Sequence, residues 1–265
     1  MRRSILLTLL SALLAIPAVG CGTDDSDSAD PGSAEPDVGH ITWSYDGEQG
    51  PEHWNKLDEE YELCESGENQ SPVNLTGATR SPFPRITPDY RPERIEIEDN
   101  GHAIEAKVEK SASSITIAGT RYHLEQFHFH TPSEETIEGH RYPASLHMVH
   151  ISDDDQIAVV GAMVKPGKPN KALTFEIPDS PDTEFGAGAE IDPNLLIPRD
   201  RTAYRYRGSL TTPPCSEGVT WTVFRQPITM AAENLDAIRA LHNENSRPIQ
   251  PLGRRKILIG PALSD

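Results

Sequence analysis

Positive charge is scarce in this 265-residue chain. Its 24 Lys and Arg stand against 41 Asp and Glu, a formal net charge of −17. Binding phosphate backbones draws on basic patches, so the balance excludes nucleic acid as a partner. Beyond residue 16 no apolar run is long enough to span a bilayer. No internal repeat is visible, which excludes a solenoid or propeller built from recurring units. Cysteine is also sparse, with three in the whole chain: Cys21, Cys64 and Cys215.

Residues 1–21 read as an export signal. Arg2 and Arg3 form a charged start, 5–16 is an apolar run, and Ala18, Val19 and Gly20 lead into Cys21. A cysteine at that point resembles a bacterial lipobox, whose thiol takes up lipid. The match departs at Ala18, where leucine is usual, and plain secretion is the alternative. Any membrane association is therefore expected only through a lipid anchor at Cys21, on an exported protein of the cell envelope or periplasm. Residues 22–40 hold six acids and no Lys or Arg. They lack the apolar side chains that offset ordering entropy and read as an acidic, disordered tether. The first 21 residues contribute +2 and the tether −6, which leaves −13 on residues 41–265. That length suffices for one catalytic domain with a real core. An exported chain is disulfide-permissive, so Cys64 and Cys215 are predicted to pair, two buried free thiols being the alternative.

From residue 43 onward short alternating segments are separated by turn signals. Strands are predicted over 94–98, 103–108, 113–118, 123–130, 145–151, 157–164 and 219–224. Turns are predicted at Asn100-Gly101, Gly119, Glu138-Gly139 and Pro166-Gly167. One helix is expected over 230–243, with Leu235, Ile238 and Leu241 on one face and Thr229 as its cap. The fold class is mainly β, a single domain on a large twisted sheet.

Side chains alternate along a strand, so in Gln126-Phe127-His128-Phe129-His130 the two histidines share one face and the phenylalanines the other. In the next strand Ser145, His147 and Val149 share a face. If the two strands pair antiparallel, His147 completes a three-imidazole set with an open fourth position, the arrangement of a catalytic zinc. A lone His-x-His on a strand is weak evidence, and the second histidine-bearing strand leaves the metal and the ordinary sheet-histidine readings about equal.

The surrounding motifs decide between them. QFHFH at 126–130, Ser133-Glu134-Glu135-Thr136, LHMVH at 146–150 and SLTTPPCSEGVTW at 209–221 resemble the α-class carbonic anhydrases. So do GPEHW at 50–54, NQSPVNL at 69–75, NGHA at 100–103, AVVGAMVK at 158–165 and RPIQPLGRR at 247–255. They occur in family order over almost all of 41–260. The resemblance implies a central, mostly antiparallel ten-stranded sheet with a few short peripheral helices, a Cys64–Cys215 bridge, and zinc on His128, His130 and His147. It implies reversible hydration of CO₂ to bicarbonate and a proton by zinc-bound hydroxide. Zinc lowers the pKa of its water from near 16 to about 7, a value for which carbonic anhydrase is itself the standard case.

The resemblance also distributes roles. Thr211 accepts the hydroxide's hydrogen bond and donates its own to Glu134, which as a carboxylate can only accept. Thr212 helps hold substrate. Val149, Val159, Leu210, Val219 and Trp221 match the apolar wall where CO₂ waits. His102 matches the proton-shuttle histidine, a side chain whose unperturbed pKa suits the task, and Tyr45 matches a tyrosine of the water chain.

Two departures from the family lie behind the metal. The glutamate usual two residues before the third ligand is Ser145, and the histidine usual after Glu134 is Glu135. Metal-bound histidines commonly give their other N–H to a carboxylate or carbonyl, and Gln126 is counted with Glu135 and Ser145 among the residues behind the ligands. A compensating exchange is expected, in which Glu135 accepts from His147 while Ser145 makes room or bridges through water. Glu105 adds a carboxylate at the mouth of the cleft. A catalytically silent binding relative is the alternative this altered surrounding keeps open. A zinc peptidase is disfavoured because the chain has no HExxH helix. A dimer stays open as the assembly.

Overall fold

The computed structural model describes residues 42–108, 111–174, 177 and 184–264. The export signal, Cys21 and the tether lie outside the described residues. The rest is built on one large sheet of twelve strands. In chain order these are β1 Thr79–Arg80, β2 Ile86–Asp89, β3 Glu93–Asp99, β4 Ile104–Val108, β5 Ser114–Ile117 and β6 Thr120–His130. There follow β7 Ala144–Ser152, β8 Ile157–Pro166, β9 Glu184–Ile191, β10 Thr202–Ser209, β11 Glu217–Met230 and β12 Leu258–Pro261. Ten of them form a path in the order β9-β3-β4-β6-β7-β8-β11-β10-β12-β1; β5 pairs with β6 off that path, and β2 with β5. The pairs β8·β11 and β12·β1 are parallel and the others antiparallel. The mostly antiparallel, mainly β expectation holds.

The alternation of the central strands makes the two faces of the sheet different. Phe127 and Phe129 of β6 and Leu146 and Met148 of β7 sink into the larger apolar cluster together with Ile95, Ile97, Leu124 and Phe224. Their neighbours in sequence, His128, His130, Ser145 and His147, must then face the other way. On that second face a smaller cluster contains Val159, Met163, Tyr206, Val219, Trp221 and Val223.

Several turns and ends depart from the sequence reading. The helix is shorter than expected, Ala232–Leu241, and its N-cap is Ala231, which makes no side-chain cap bond. Thr229 does not cap it. As a β-branched residue Thr229 stays in β11, opposite Lys165 of β8, and its hydroxyl donates to the Lys168 carbonyl at 2.7 Å. β10 was not anticipated at all. The turn glycines Gly101, Gly119 and Gly139 do adopt positive φ, of 80°, 89° and 77°.

Cys64 and Cys215 are disulfide-bonded across 151 residues of sequence. Closing so long a loop stabilises a chain by roughly 3–5 kcal/mol where the native geometry is unstrained. Arg247 reinforces the same region from inside. It is 1% exposed, donates to the carbonyls of Cys64 and Ser71 and to Gln70 Oε1, and lies over the Trp54 ring.

His150 is a buried histidine that faces away from the metal ligands. Its Nε2 meets the Tyr90 hydroxyl at 2.9 Å, and burial pulls its pKa down to about 4. An unfolded chain protonates this imidazole near pH 6.5, while the folded one resists until about pH 4. The unfolded state therefore binds the extra proton in that window, and stability falls as pH falls through it. We expect about 3 kcal/mol to be lost between pH 6.5 and 4 on this account. Urea unfolding at several pH values measures the slope, which His150→Gln flattens.

Candidate metal centre

Strand register assembles the three histidines. In the antiparallel β6·β7 pair His147 lies opposite His128, and Ser145 lies opposite His130. Residues directly opposite on one face are the closest side-chain neighbours a sheet offers. Potential ligand atoms of His128, His130 and His147 accordingly lie within 4.8 Å of one another.

The other ring nitrogens are already engaged. His128 Nδ1 lies 2.8 Å from Gln126 Oε1, and His130 Nδ1 lies 2.7 Å from the Asn245 carbonyl. His147 Nε2 lies 3.2 Å from Glu135 Oε2. Each partner is an oxygen acceptor, so each engaged nitrogen carries the proton and the opposite nitrogen keeps its lone pair. Two of the nitrogens so freed, His130 Nε2 and His147 Nδ1, are buried without a hydrogen-bond partner. Leaving such atoms unpaired costs on the order of 1–3 kcal/mol each. Three convergent imidazoles fit zinc, which favours nitrogen ligands and leaves a fourth position open in catalytic sites.

Burial drives His128 to a pKa of about 3 and His130 well below its ordinary value, with the neighbouring histidines adding repulsion. Both are thus held neutral. For His147 burial pushes the same way, but the Glu135 carboxylate, followed by Glu134, outweighs it, and the net direction is up. Glu134 is raised to about 7 by burial, aided by Glu135 and opposed by His147, the Thr211 hydroxyl and the Arg247 N–H. A cation at the three histidines favours its ionised form.

The remaining candidates fall around a cleft of about 280 Å³ lined by Tyr45, His102, Val149, Val159, Leu210, Thr211, Thr212 and Trp221, with the three histidines, Gln126 and Glu105. Val219 is not among the cleft-lining residues; it packs in the apolar cluster that includes Val159 and Trp221. The Trp221 ring meets His147 edge-on at 4.9 Å. Thr211 and Thr212 sit on the turn between β10 and β11, closed by the Cys215 N–H to the Thr212 carbonyl and by the Leu210 N–H to the Ser216 carbonyl. Glu134 Oε1 accepts from the Arg247 N–H at 2.9 Å. Ser145 does not reach between His147 and Glu135; its hydroxyl accepts the Glu134 N–H at 3.2 Å. His102 stacks on Trp43 at 3.7 Å between ring centroids.

Three participants escaped the sequence reading. Tyr206 donates to Glu135 Oε1 at 3.5 Å, Asn245 supplies the carbonyl behind His130, and Arg247 holds Glu134. Only the RPIQPLGRR motif pointed at the last of these, without a role.

A three-imidazole pocket on the face of a central antiparallel sheet, backed by hydrogen-bond acceptors, defines a catalytic metal site. The family model described as eukaryotic-type carbonic anhydrase matches residues 49–260. A carbonic anhydrase of Klebsiella pneumoniae is 40% identical over 221 residues, covering 82% of this chain and 90% of the relative. One from Neisseria gonorrhoeae is 37% identical over 222 residues, covering 83% and 88%. The α-carbonic anhydrase of Thermovibrio ammonificans, solved with the inhibitor sulfanilamide, superposes with a TM-score of 0.78 at 39% identity and covers 83% of this chain and 100% of that one. The chain belongs to the α-class carbonic anhydrase family.

Because Glu135 is the acceptor nearest His147 Nε2, its charge bears on the metal. Glu135→Gln is expected to weaken zinc binding about 10- to 100-fold, the usual cost of losing such a partner. Competition against a chelator measures this, and an unchanged affinity would remove Glu135 from the site.

Proposed function

We propose that the protein is a zinc enzyme that hydrates CO₂ reversibly to bicarbonate and a proton. The observation that carries this is the convergence of three imidazoles, two with buried ring nitrogens that have no hydrogen-bond partner, within a family of carbonic anhydrases. When bound, zinc supplies a water acidified enough to act as hydroxide near neutral pH.

The chain's own residues do the rest. Ionised Glu134 has no proton to give, so it accepts a hydrogen bond from the Thr211 hydroxyl, whose single proton is then engaged. The Thr211 oxygen is left as an acceptor and fixes the direction of the attacking hydroxyl. The Thr212 hydroxyl helps hold substrate and product. Val149, Val159, Leu210 and Trp221 give CO₂ an apolar resting place, with Val219 packed in the same apolar cluster. His102, half-buried in the cleft wall, takes up the proton released by hydration, and Tyr45 helps order the water between. Its pKa is lowered by burial and by His242, with Asp99 opposing. Glu135 with Tyr206 behind it orients His147, while Ser145 secures the Glu134 backbone. The silent-relative reading gains nothing from this geometry.

The catalytic domain spans 41–265, preceded by the signal 1–21 and the tether 22–40. Export to the periplasm or cell envelope agrees with a disulfide, which persists in oxidising compartments. Lipid attachment at Cys21 predicts a mature N-terminal cysteine carrying acyl chains, read by mass spectrometry of the membrane fraction; an unmodified soluble chain would mean plain secretion.

Stopped-flow CO₂ hydration tests the reaction. His102→Ala is expected to reduce kcat in dilute buffer while leaving kcat/KM unchanged, and concentrated imidazole is expected to restore kcat. A deficit that persists in concentrated buffer would rule out a shuttle.

A further inference from the structure

His102 lines two cavities. One is the metal cleft. The other, of about 240 Å³, shares Trp43 and Tyr45 with it and is bordered by Asp46, His242 and Glu244. His242 is 9% exposed, and its Nε2 lies 2.7 Å from Asp99 Oδ1. Asp99 is itself buried; Oδ1 also accepts the Gly101 N–H at 2.9 Å, while Oδ2 is buried with no hydrogen-bond partner. A carboxylate beside Nε2 fixes the proton there and leaves Nδ1 as the basic nitrogen, with no hydrogen bond to it among the described residues. The metal chemistry uses neither residue.

We propose that this second cavity is the exit port for the reaction's proton, and that His242, held by Asp99, is the relay that accepts the proton from His102. The inference rests on His102 being the shuttle. Protonated His102 releases its proton through water in the outer cavity to His242 Nδ1, and Asp99 stabilises the imidazolium so formed. His242 then gives the proton to external water or buffer and returns to neutral. No redox change or further reactant is involved. The groups facing this path are Tyr45 and Asp46 from the N-terminal turn, Asp99 and His102 from the turn after β3, and Glu244 from the segment after the helix. Asp46 and Glu244 are exposed carboxylates at the rim, which raise the local concentration of protons and cationic buffer.

Two further observations fit. The same segment ties down the shuttle loop, since Asn245 Nδ2 donates to the His102 carbonyl at 2.9 Å. Charge on His242 also depresses the His102 pKa, whereas Asp99 raises it, so the two histidines sense each other. A charged His242 thereby favours a neutral His102 ready for the next cycle.

The test uses the zinc-loaded, full-length enzyme. In dilute buffer His242→Gln is expected to lower kcat by roughly fivefold, less than the 10²-fold or more typical of a directly transferring group. kcat/KM stays unchanged, and concentrated imidazole restores kcat. Adding His242→Gln to His102→Ala is expected to cost nothing further. By NMR titration the His102 pKa rises in His242→Gln and falls in Asp99→Asn. Full kcat in His242→Gln while His102→Ala is impaired overturns the proposal, as does a loss that imidazole does not restore. Full kcat in His102→Ala in dilute buffer overturns the shuttle itself, a separate result. Should His242→Gln fail to fold, Asp46→Asn/Glu244→Gln at the exposed rim replaces it: reduced kcat in dilute buffer supports the port, and unchanged kcat overturns it.

Discussion

The antiparallel register of β6 against β7 is the constraint on which the metal centre depends. Because the side-chain period of a strand is two, a slip of one residue would turn His147 into the apolar cluster and bring Leu146 or Met148 to the metal face. Phe127, Phe129, Leu146 and Met148 forbid that slip by their burial. The packing of one face thus fixes the chemistry of the other, and the ligands need no dedicated loop to hold them.

Around this frame the hydrogen-bond acceptors behind the metal are distributed unusually. The strand position two before His147 carries a serine, and the carboxylate arrives instead from the connection between β6 and β7. Glu134 and Glu135 are adjacent in sequence yet face different partners. Glu134 takes the Arg247 N–H and lies toward Thr211, while Glu135 takes His147 and Tyr206. Two buried carboxylates so close repel each other, and the Arg247 N–H, His147 and the Tyr206 hydroxyl offset part of that cost.

Much of this was legible in sequence because the alternation of β6 matches its burial and β8, buried on both faces, reads as an apolar run. What stayed hidden had physical reasons. β10 reads TAYRYRGS, and its arginines disguise a strand whose Arg205 is in fact buried over the Phe83 ring. Thr229 has the chemistry of a cap, but its strand continues past the point where a cap would act. Tyr206 and Asn245 meet Glu135 and His130 across 71 and 115 residues of chain. No local periodicity reports a partner at that distance; only the folded sheet brings them together.

The short stretch from His242 to Arg247 reaches nearly everything that matters. Its atoms bond the His130 ring, the His102 carbonyl, the Glu134 carboxylate, Asp99 and the carbonyl of the disulfide cysteine Cys64. It acts as a keystone rather than a loop. If it lifts away, His130, His102 and Glu134 lose their supports in the same event. Local opening of this one segment would therefore disturb all of these groups together rather than one at a time.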